Sequence, residues 1–413
     1  MRDLPVLTEW DAARIARHLA AGEPAIFLST NARALEEADA VAVTADAARA
    51  AHDAADRVDT PISIISRSDS TLRGHFPADT LAIAEAIGRP DARVLLAPFF
   101  AEGGRLTRDD VHLLEHNGVR TPVAETEFAA DAAFGYRSSN LREWVAEKHV
   151  TAGRPVPPTV SLSLATARAG ADAVADALFA LPAGGVAIAN AETDGDIEAV
   201  ALGALLAAER GLPLIARTAA SYVRARAGQR SAAPLGRDEL DVEGAGLIVV
   251  GSHVPTTTAQ LEALVEADPV VSVHELEVDA ILAGSPSPAR AASAVDAALE
   301  AGRTAVVATE RTRRDIGLAG GREVSRALVE TVRRVRRRPA WVIAKGGITS
   351  HDVARHGLGM AEARIAGPLL PAVPVWIGGA GSRWPGLPLV VFPGNVGERA
   401  SLAEAYRLLT GVN

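Results

Sequence analysis

The stretch Leu247-Ile248-Val249-Val250-Gly251 is apolar, β-branched and closed by a glycine, the signature of a short strand buried on both faces. The chain repeats this device along its length. Comparable runs are Ala25–Ser29, Ala40–Thr44, Ile62–Ser66, Val94–Phe100, Gly185–Asn190, Leu214–Arg217, Val270–Val273, Thr304–Thr309, Trp341–Ala344 and Leu389–Phe392. Between them lie alanine-rich stretches of helical period, among them Asp11–Ala21, Ala45–Arg57, Pro77–Ile87, Ala171–Ala180, Thr256–Glu266, Ser287–Ala301, Gly321–Arg336 and Glu398–Leu409. Apolar strands alternating with helices of this length imply an α/β fold built on parallel sheets with helices on both faces. A chain of 413 residues exceeds one ordinary core, so two domains are expected. The polar, glycine-rich stretch 226–246 places the boundary so that the domains are 1–235 and 236–413.

Composition narrows the function. A net charge of −9 speaks against nucleic acid as the main partner, because phosphate binding needs a basic surface. The absence of cysteine excludes disulfides, thiolate catalysis and thiolate metal sites together. No run reaches the length of a membrane span, and the first residues lack the apolar core of a signal peptide. The expectation is a cytoplasmic protein without a membrane partner; homo-oligomerisation stays open. The arginines from Arg333 to Arg338 precede Pro339 at a helix end, where cations favour the helix dipole.

Three places in the C-terminal part join a strand to a helix through small residues: Gly251-Ser252, Gly346-Gly347-Ile348-Thr349 and Gly394-Asn395. Free amides and the helix dipole make such junctions suited to anions. Loops at the carboxyl ends of parallel strands gather on one edge, so the three together suggest a nucleotide site. None is a P-loop, and none has the dinucleotide G-x-G-x-x-G spacing, which disfavours a nicotinamide oxidoreductase.

In the N-terminal part, Arg67, Ser68, Asp69, Ser70, Thr71, Arg73, Gly74 and His75 follow one strand directly. Arginines can grip a carboxylate through two bonds, and hydroxyls with an aspartate suit a polyol. Caps for the helix near Pro77, or a structural ion pair, explain the same residues equally well. The loop with Glu102, Gly103, Gly104, Arg105 and Asp109 is a further candidate. Ser138, Ser139 and Asn140 read instead as caps of the helix carrying Trp144, and His253, His351 and His356 lack a metal-ligand spacing.

The stretches SRSDSTLRGHFPAD, LLAPFFAEGGRLTRDDVH, ETEFAADAAFGYRSSNLREWV, RTAASYVRARAG, VVGSHVPTTTAQLE, AKGGITSHDVARHGLG and PLVVFPGNVG together resemble the four-carbon acid sugar kinase family. The resemblance implies ATP-dependent phosphorylation of threonate, erythronate or an oxo-tetronate. It implies an acid-sugar-binding domain at 1–235, a nucleotide-binding domain at 236–413 and an active site in the cleft between them. Arg67, Asp69, Ser70, Thr71, Arg73, Gly74 and Arg105 would bind the sugar acid, with Arg67 and Arg73 on its carboxylate and Asp69 on a hydroxyl. Ser252, Gly346, Gly347, Ile348, Thr349, Gly394 and Asn395 would bind ATP, accompanied by Mg²⁺ without assigned protein ligands.

The sequence departs from that family in one respect. Members usually open with a strand ending in Asp-Asp-x-Thr-Gly, and no such motif occurs here. Asp69 is then the remaining candidate for the catalytic base. A truncated, non-catalytic protein that binds sugar acid and nucleotide is the alternative expectation.

Overall fold

A computed structural model gives the fold; it describes residues 1–285, 287–311 and 317–411. The chain divides into two compact units. One comprises Met1–Trp10, Ala25–Ser29 and Ala232–Asn413, the other Asp11–Pro24 and Thr30–Ser231. Both are α/β layers, as the alternation of runs predicts.

The sheet of the unit holding the C-terminal half has the strand order Ser272–Leu276, Ala305–Thr309, Leu247–Val250, Val342–Lys345, Pro388–Phe392, Val373–Gly378, Glu362–Leu370, Leu4–Leu7, Phe27–Leu28. The first five run parallel. The sheet then turns antiparallel through the hairpin of Glu362–Leu370 and Val373–Gly378, whose apolar runs are broken in the sequence by Gly367, Pro368 and Pro374. Leu247–Val250 and Val342–Lys345 are wholly buried, which is why they carry no polar alternation. Helices Pro255–Ala267 and Ser401–Thr410 supply Leu261, Leu264, Leu402, Tyr406 and Leu409 to the core on one face.

Two expectations need correction. The domain boundary at 235/236 misplaces the N-terminus, because Leu4–Leu7 pairs with Glu362–Leu370 in the C-terminal sheet and Phe27–Leu28 pairs with Leu4–Leu7. That segment is contiguous in sequence with one unit and hydrogen-bonded into the other. The strand expected at Ala40–Thr44 lies inside the helix Glu37–Arg57. Its alternating alanines and valines fit either period, and the long alanine-rich continuation favours the helix.

The other unit carries an all-parallel sheet in the order Ile65–Arg67, Leu214–Thr218, Arg93–Ala97, Val186–Ala189, Thr159–Leu162. A small antiparallel sheet of Arg105–Arg108, Val111–His116 and Val119–Pro122 sits beside it. Its turns are Asp109-Asp110 and Asn117-Gly118, all four residues at positive φ, as a two-residue hairpin turn requires. Beneath the loop after Ile65–Arg67 lies a core of Leu72, Phe76, Leu96, Tyr136, Leu141 and Trp144.

Several polar stretches prove structural. Asn140 caps the helix Leu141–Thr151 by accepting from the Arg142 and Glu143 amides, and Ser139 Oγ accepts from the Ala124 amide. Arg333 and Arg334 pair with Glu330, Arg336 with Asp296 and Arg337 with Glu300.

Candidate functional site

The C-terminal glycine junctions come together. Leu247–Val250, Val342–Lys345 and Pro388–Phe392 are adjacent and parallel, with Val250 opposite Lys345 and Lys345 opposite Phe392. The loops that follow therefore leave one sheet edge side by side. A Cβ on Gly394 would lie 2.5 Å from Ser252 Oγ, and one on Gly346 would lie 2.9 Å from Thr349 Oγ1. Gly346 also has φ +124, a backbone conformation open to glycine. Thr257 Oγ1 ties the loops, 3.1 Å from Ser252 Oγ and 3.0 Å from the Gly394 carbonyl oxygen. Ser350 Oγ holds the second turn by donating to the Ala344 and Gly346 carbonyls. The outcome is a cradle of glycines and small hydroxyls beside the start of the helix Pro255–Ala267, the kind of junction that suits an anion.

Two cations border this cradle that the sequence reading did not single out. Arg311 Nη2 donates to the Ser252 carbonyl at 2.5 Å and to Thr258 Oγ1 at 3.1 Å. Lys345 is fully buried; its Nζ donates to the Pro393 carbonyl at 2.7 Å and the Val396 carbonyl at 3.3 Å. The Phe392 ring lies 3.8 Å from the same atom. Burial pushes the Lys345 ammonium down to about 7. A lysine beside a double glycine is visible in the sequence; that it folds back to staple loop 393–397 is not. Asn395 stands exposed on that loop, and Ile348 and Gly347 are exposed on theirs.

The expected sugar-acid residues also cluster. Asp69 is the hub. It pairs with Arg33 and with Arg73 at 2.9 Å, and accepts from the Thr71 amide at 2.7 Å and the Thr71 hydroxyl. Arg73 reaches Asp131 at 3.5 Å, and the guanidiniums of Arg73 and Arg105 lie 5.0 and 5.9 Å from the Phe128 ring. Arg105 also donates to the Gly103 carbonyl. Burial raises the Asp69 carboxyl, but Arg33, Arg73 and Thr71 outweigh it and bring it down to about 2. Such a carboxylate holds its partners well and accepts protons poorly. Arg67, though an exposed residue, reaches the Ser68 carbonyl at 3.4 Å, and Asp69 and Arg33 act on its charge.

The loop's shape is imposed from below. Tyr136 Oη donates to the Thr71 carbonyl at 2.9 Å, and His112 Nε2 lies 2.8 Å from the Ser70 carbonyl oxygen. Burial pushes His112 down to about 4, so its ring is neutral at pH 7. Nε2 must then carry the proton toward Ser70, leaving Nδ1 to accept from the Thr107 hydroxyl at 2.9 Å. Leu72, fully buried, adopts φ +69, a conformation that persists in a non-glycine residue only where its surroundings impose it. Arg33, His112 and Tyr136 escaped the sequence reading because each is remote in sequence from the loop it serves. Glu102 of the other candidate loop is taken up by Arg224, Ser221 and Ser231.

Together these features define a two-domain α/β protein with an anion cradle in one domain and an arginine-rich polar loop in the other. Residues 3–226 match the sugar-binding N-terminal domain and residues 247–402 the nucleotide-binding C-terminal domain, and the chain belongs to the family defined by these two domains. No curated protein matches it. Among solved structures it is similar to a "putative tRNA synthase" from Salmonella typhimurium LT2, with 16% identity, TM-score 0.66 and 98% of each chain covered. A Haemophilus influenzae protein of the DUF1537 family is similar at 16% identity and TM-score 0.60, over 98% of this chain and 99% of the other. At this identity both likenesses speak for the fold alone.

Proposed function

We propose that the protein is an ATP-dependent kinase that phosphorylates a four-carbon sugar acid of the threonate, erythronate or oxo-tetronate type. The observation that carries the reading is the meeting of the glycine loops at Ser252. A Cβ on Gly394 or Gly346 would strike Ser252 or Thr349, so the glycines let the loops close on one another, and such small residues let backbone amides and hydroxyls approach a phosphate. Ser252, Gly346–Thr349, Gly394 and Asn395 hold the nucleotide, with Arg311 as a nearby positive charge. Among the described residues no cluster of His, Asp and Glu could hold a metal ion by itself. Mg²⁺ would accompany ATP and supply charge neutralisation at its phosphates, with no protein ligand assigned to it.

In the sugar-binding domain, Arg73 and Arg105 supply positive charge, while Asp69 and Thr71 are positioned for a hydroxyl. In the reaction the terminal phosphoryl group passes from ATP to a sugar-acid hydroxyl, ADP leaves and the hydroxyl proton is released. Catalysis of this kind rests on positioning and charge neutralisation, which these residues can provide. Asp69 serves as an orienting group. The test is ADP release from ATP and Mg²⁺ in the presence of threonate, erythronate, 2-oxo-tetronate or 3-oxo-tetronate. One of them should support turnover; silence with all of them contradicts the proposal.

The competing reading is binding of both ligands without turnover. Calorimetry that detects both ligands in a protein producing no ADP would select it.

A further inference from the structure

Arg217 is a buried charge that the reaction as described leaves unused. It stands at the carboxyl end of the strand Leu214–Thr218, next to the strand Ile65–Arg67 from which the sugar loop departs. The residue is 1% exposed. Its Nε donates to Asp79 Oδ2 at 3.0 Å, an oxygen that also accepts from Ser66 Oγ at 3.1 Å. The other Asp79 oxygen accepts from the Thr80 amide at 2.8 Å. Asp79 thus occupies one nitrogen of the guanidinium and leaves the forked end alone.

Both nitrogens of that end, Nη1 and Nη2, are buried with no hydrogen-bond partner among the described residues. The rings of Phe76 and Trp144 lie 5.2 and 5.5 Å from the guanidinium carbon, but ring faces do not satisfy the in-plane N–H groups. Trp144 Nε1 is another buried donor without a partner. Buried unsatisfied donors of this kind are rare in folded proteins and call for an acceptor. The free edge lies against the sugar loop: a Cβ on Gly74 would sit 3.2 Å from Nη2. No other arginine of this loop has both terminal nitrogens buried and unpartnered among the described residues. Arg73 is engaged by Asp69, Asp131 and Thr71, Arg67 reaches the Ser68 carbonyl and lies under the charge of Asp69, and Arg105 donates to the Gly103 carbonyl while only its Nε is left without a partner.

We propose that Arg217, rather than Arg67 or Arg73, receives the carboxylate of the acid ligand. The paired Nη1 and Nη2 N–H groups meet the two carboxylate oxygens end-on, the arrangement in which a guanidinium and a carboxylate match best. Gly74 covers this edge and, having no Cβ, keeps it clear of any side chain. This inference rests on the reading that the domain takes a sugar acid. It adds which residue distinguishes an acid from a neutral polyol.

The test is calorimetry on the full chain with threonate and erythronate against the neutral polyols threitol and erythritol. Wild-type protein should prefer an acid. Arg217→Met should lower acid affinity by on the order of a hundredfold and erase the preference, the scale of losing a hydrogen-bonded charge pair. Arg217→Lys should recover part of the loss, since a point charge cannot form the fork. ATP affinity should stay within about twofold in both, as expected of a site made only by the other domain's loops. Unchanged acid affinity and preference in these variants would overturn the inference, leaving water as the partner of the free edge. If Arg217→Met does not fold, Arg217→Lys with a wild-type circular dichroism spectrum decides. It should weaken acid binding at least about tenfold and narrow the preference over the neutral polyol; undiminished binding and preference count against the inference. A wild-type protein that binds none of the acids also overturns it. One that binds an acid yet turns over no ATP contradicts the kinase reading and leaves Arg217 in its role.

Discussion

Gly394 and Ser252 approach so closely that a Cβ on Gly394 would lie 2.5 Å from the Ser252 hydroxyl oxygen. The backbone of Gly394 is not in the left-handed region, so contact alone excludes a side chain there. Gly394→Ala should weaken ATP binding by at least about tenfold while leaving sugar-acid binding unchanged. Adding Ser252→Ala removes the clashing oxygen and should restore part of the affinity, a coupling that a double-mutant cycle measures. Strictly additive losses would mean that the two loops do not share a ligand site.

Lys345 makes stability depend on pH. Burial lowers its pKa to about 7 from the ordinary 10.5, so between those values the unfolded chain binds the proton and the folded one does not. Stability then rises with pH across that window, by up to about 1.4 kcal/mol per pH unit. Below pH 7 both states are protonated and the penalty is constant. Urea unfolding of wild type and Lys345→Met, compared from about pH 6 to about pH 10, should show the wild type gaining on the variant. Parallel curves would contradict the burial of an unneutralised lysine.

Asp69 acts in the opposite range. Its carboxyl lies at about 2 against 3.8 in the unfolded chain, so its contribution is complete above the unfolded value. It fades as pH falls through the folded value. Near neutral pH, Asp69→Asn should destabilise the protein by about 2 kcal/mol, discounted because Arg33 is half exposed. Acid titration followed by circular dichroism should show the two proteins converging toward pH 2. A constant difference down to that pH would place the variant's defect elsewhere.

His112 offers a spectroscopic check on how the sugar loop is held. With its pKa near 4, the ring should remain neutral at pH 5.5, with the proton on Nε2 facing the Ser70 carbonyl. Nitrogen chemical shifts report both the tautomer and the titration. A midpoint near 6.5 would mean that the ring is solvated and that the loop rests on other contacts.

What the sequence discloses is mostly local. Strand, small residues and helix start are neighbours in the chain at 247–256, 342–350 and 388–397, so each of the three parts of the cradle could be read off, and parallel pairing then set them side by side. The partners that finish each site are distant in sequence. Asp69 meets Arg33 across 36 residues, and Arg217 lies under Gly74 with no hint in either stretch. The sheet of Arg105–Pro122 was hidden for a different reason. Its strands mix His112, Glu115 and Arg120 with apolar residues, and the Asn117-Gly118 turn was the clearer signal. The N-terminal strand Leu4–Leu7 was obscured by its shortness, and its place beside Glu362–Leu370 depends on pairing that no local pattern encodes.

The central claim, that this chain moves a phosphoryl group from ATP to a sugar acid, is tested most directly by following phosphorus. The protein is mixed with ATP, Mg²⁺ and each four-carbon sugar acid, and the products are observed by phosphorus NMR. A new phosphate-ester resonance, growing in step with ADP and slowed in Gly394→Ala at limiting ATP, is the predicted result. ATP that stays intact with every acid, in protein shown by calorimetry to bind both ligands, would contradict it.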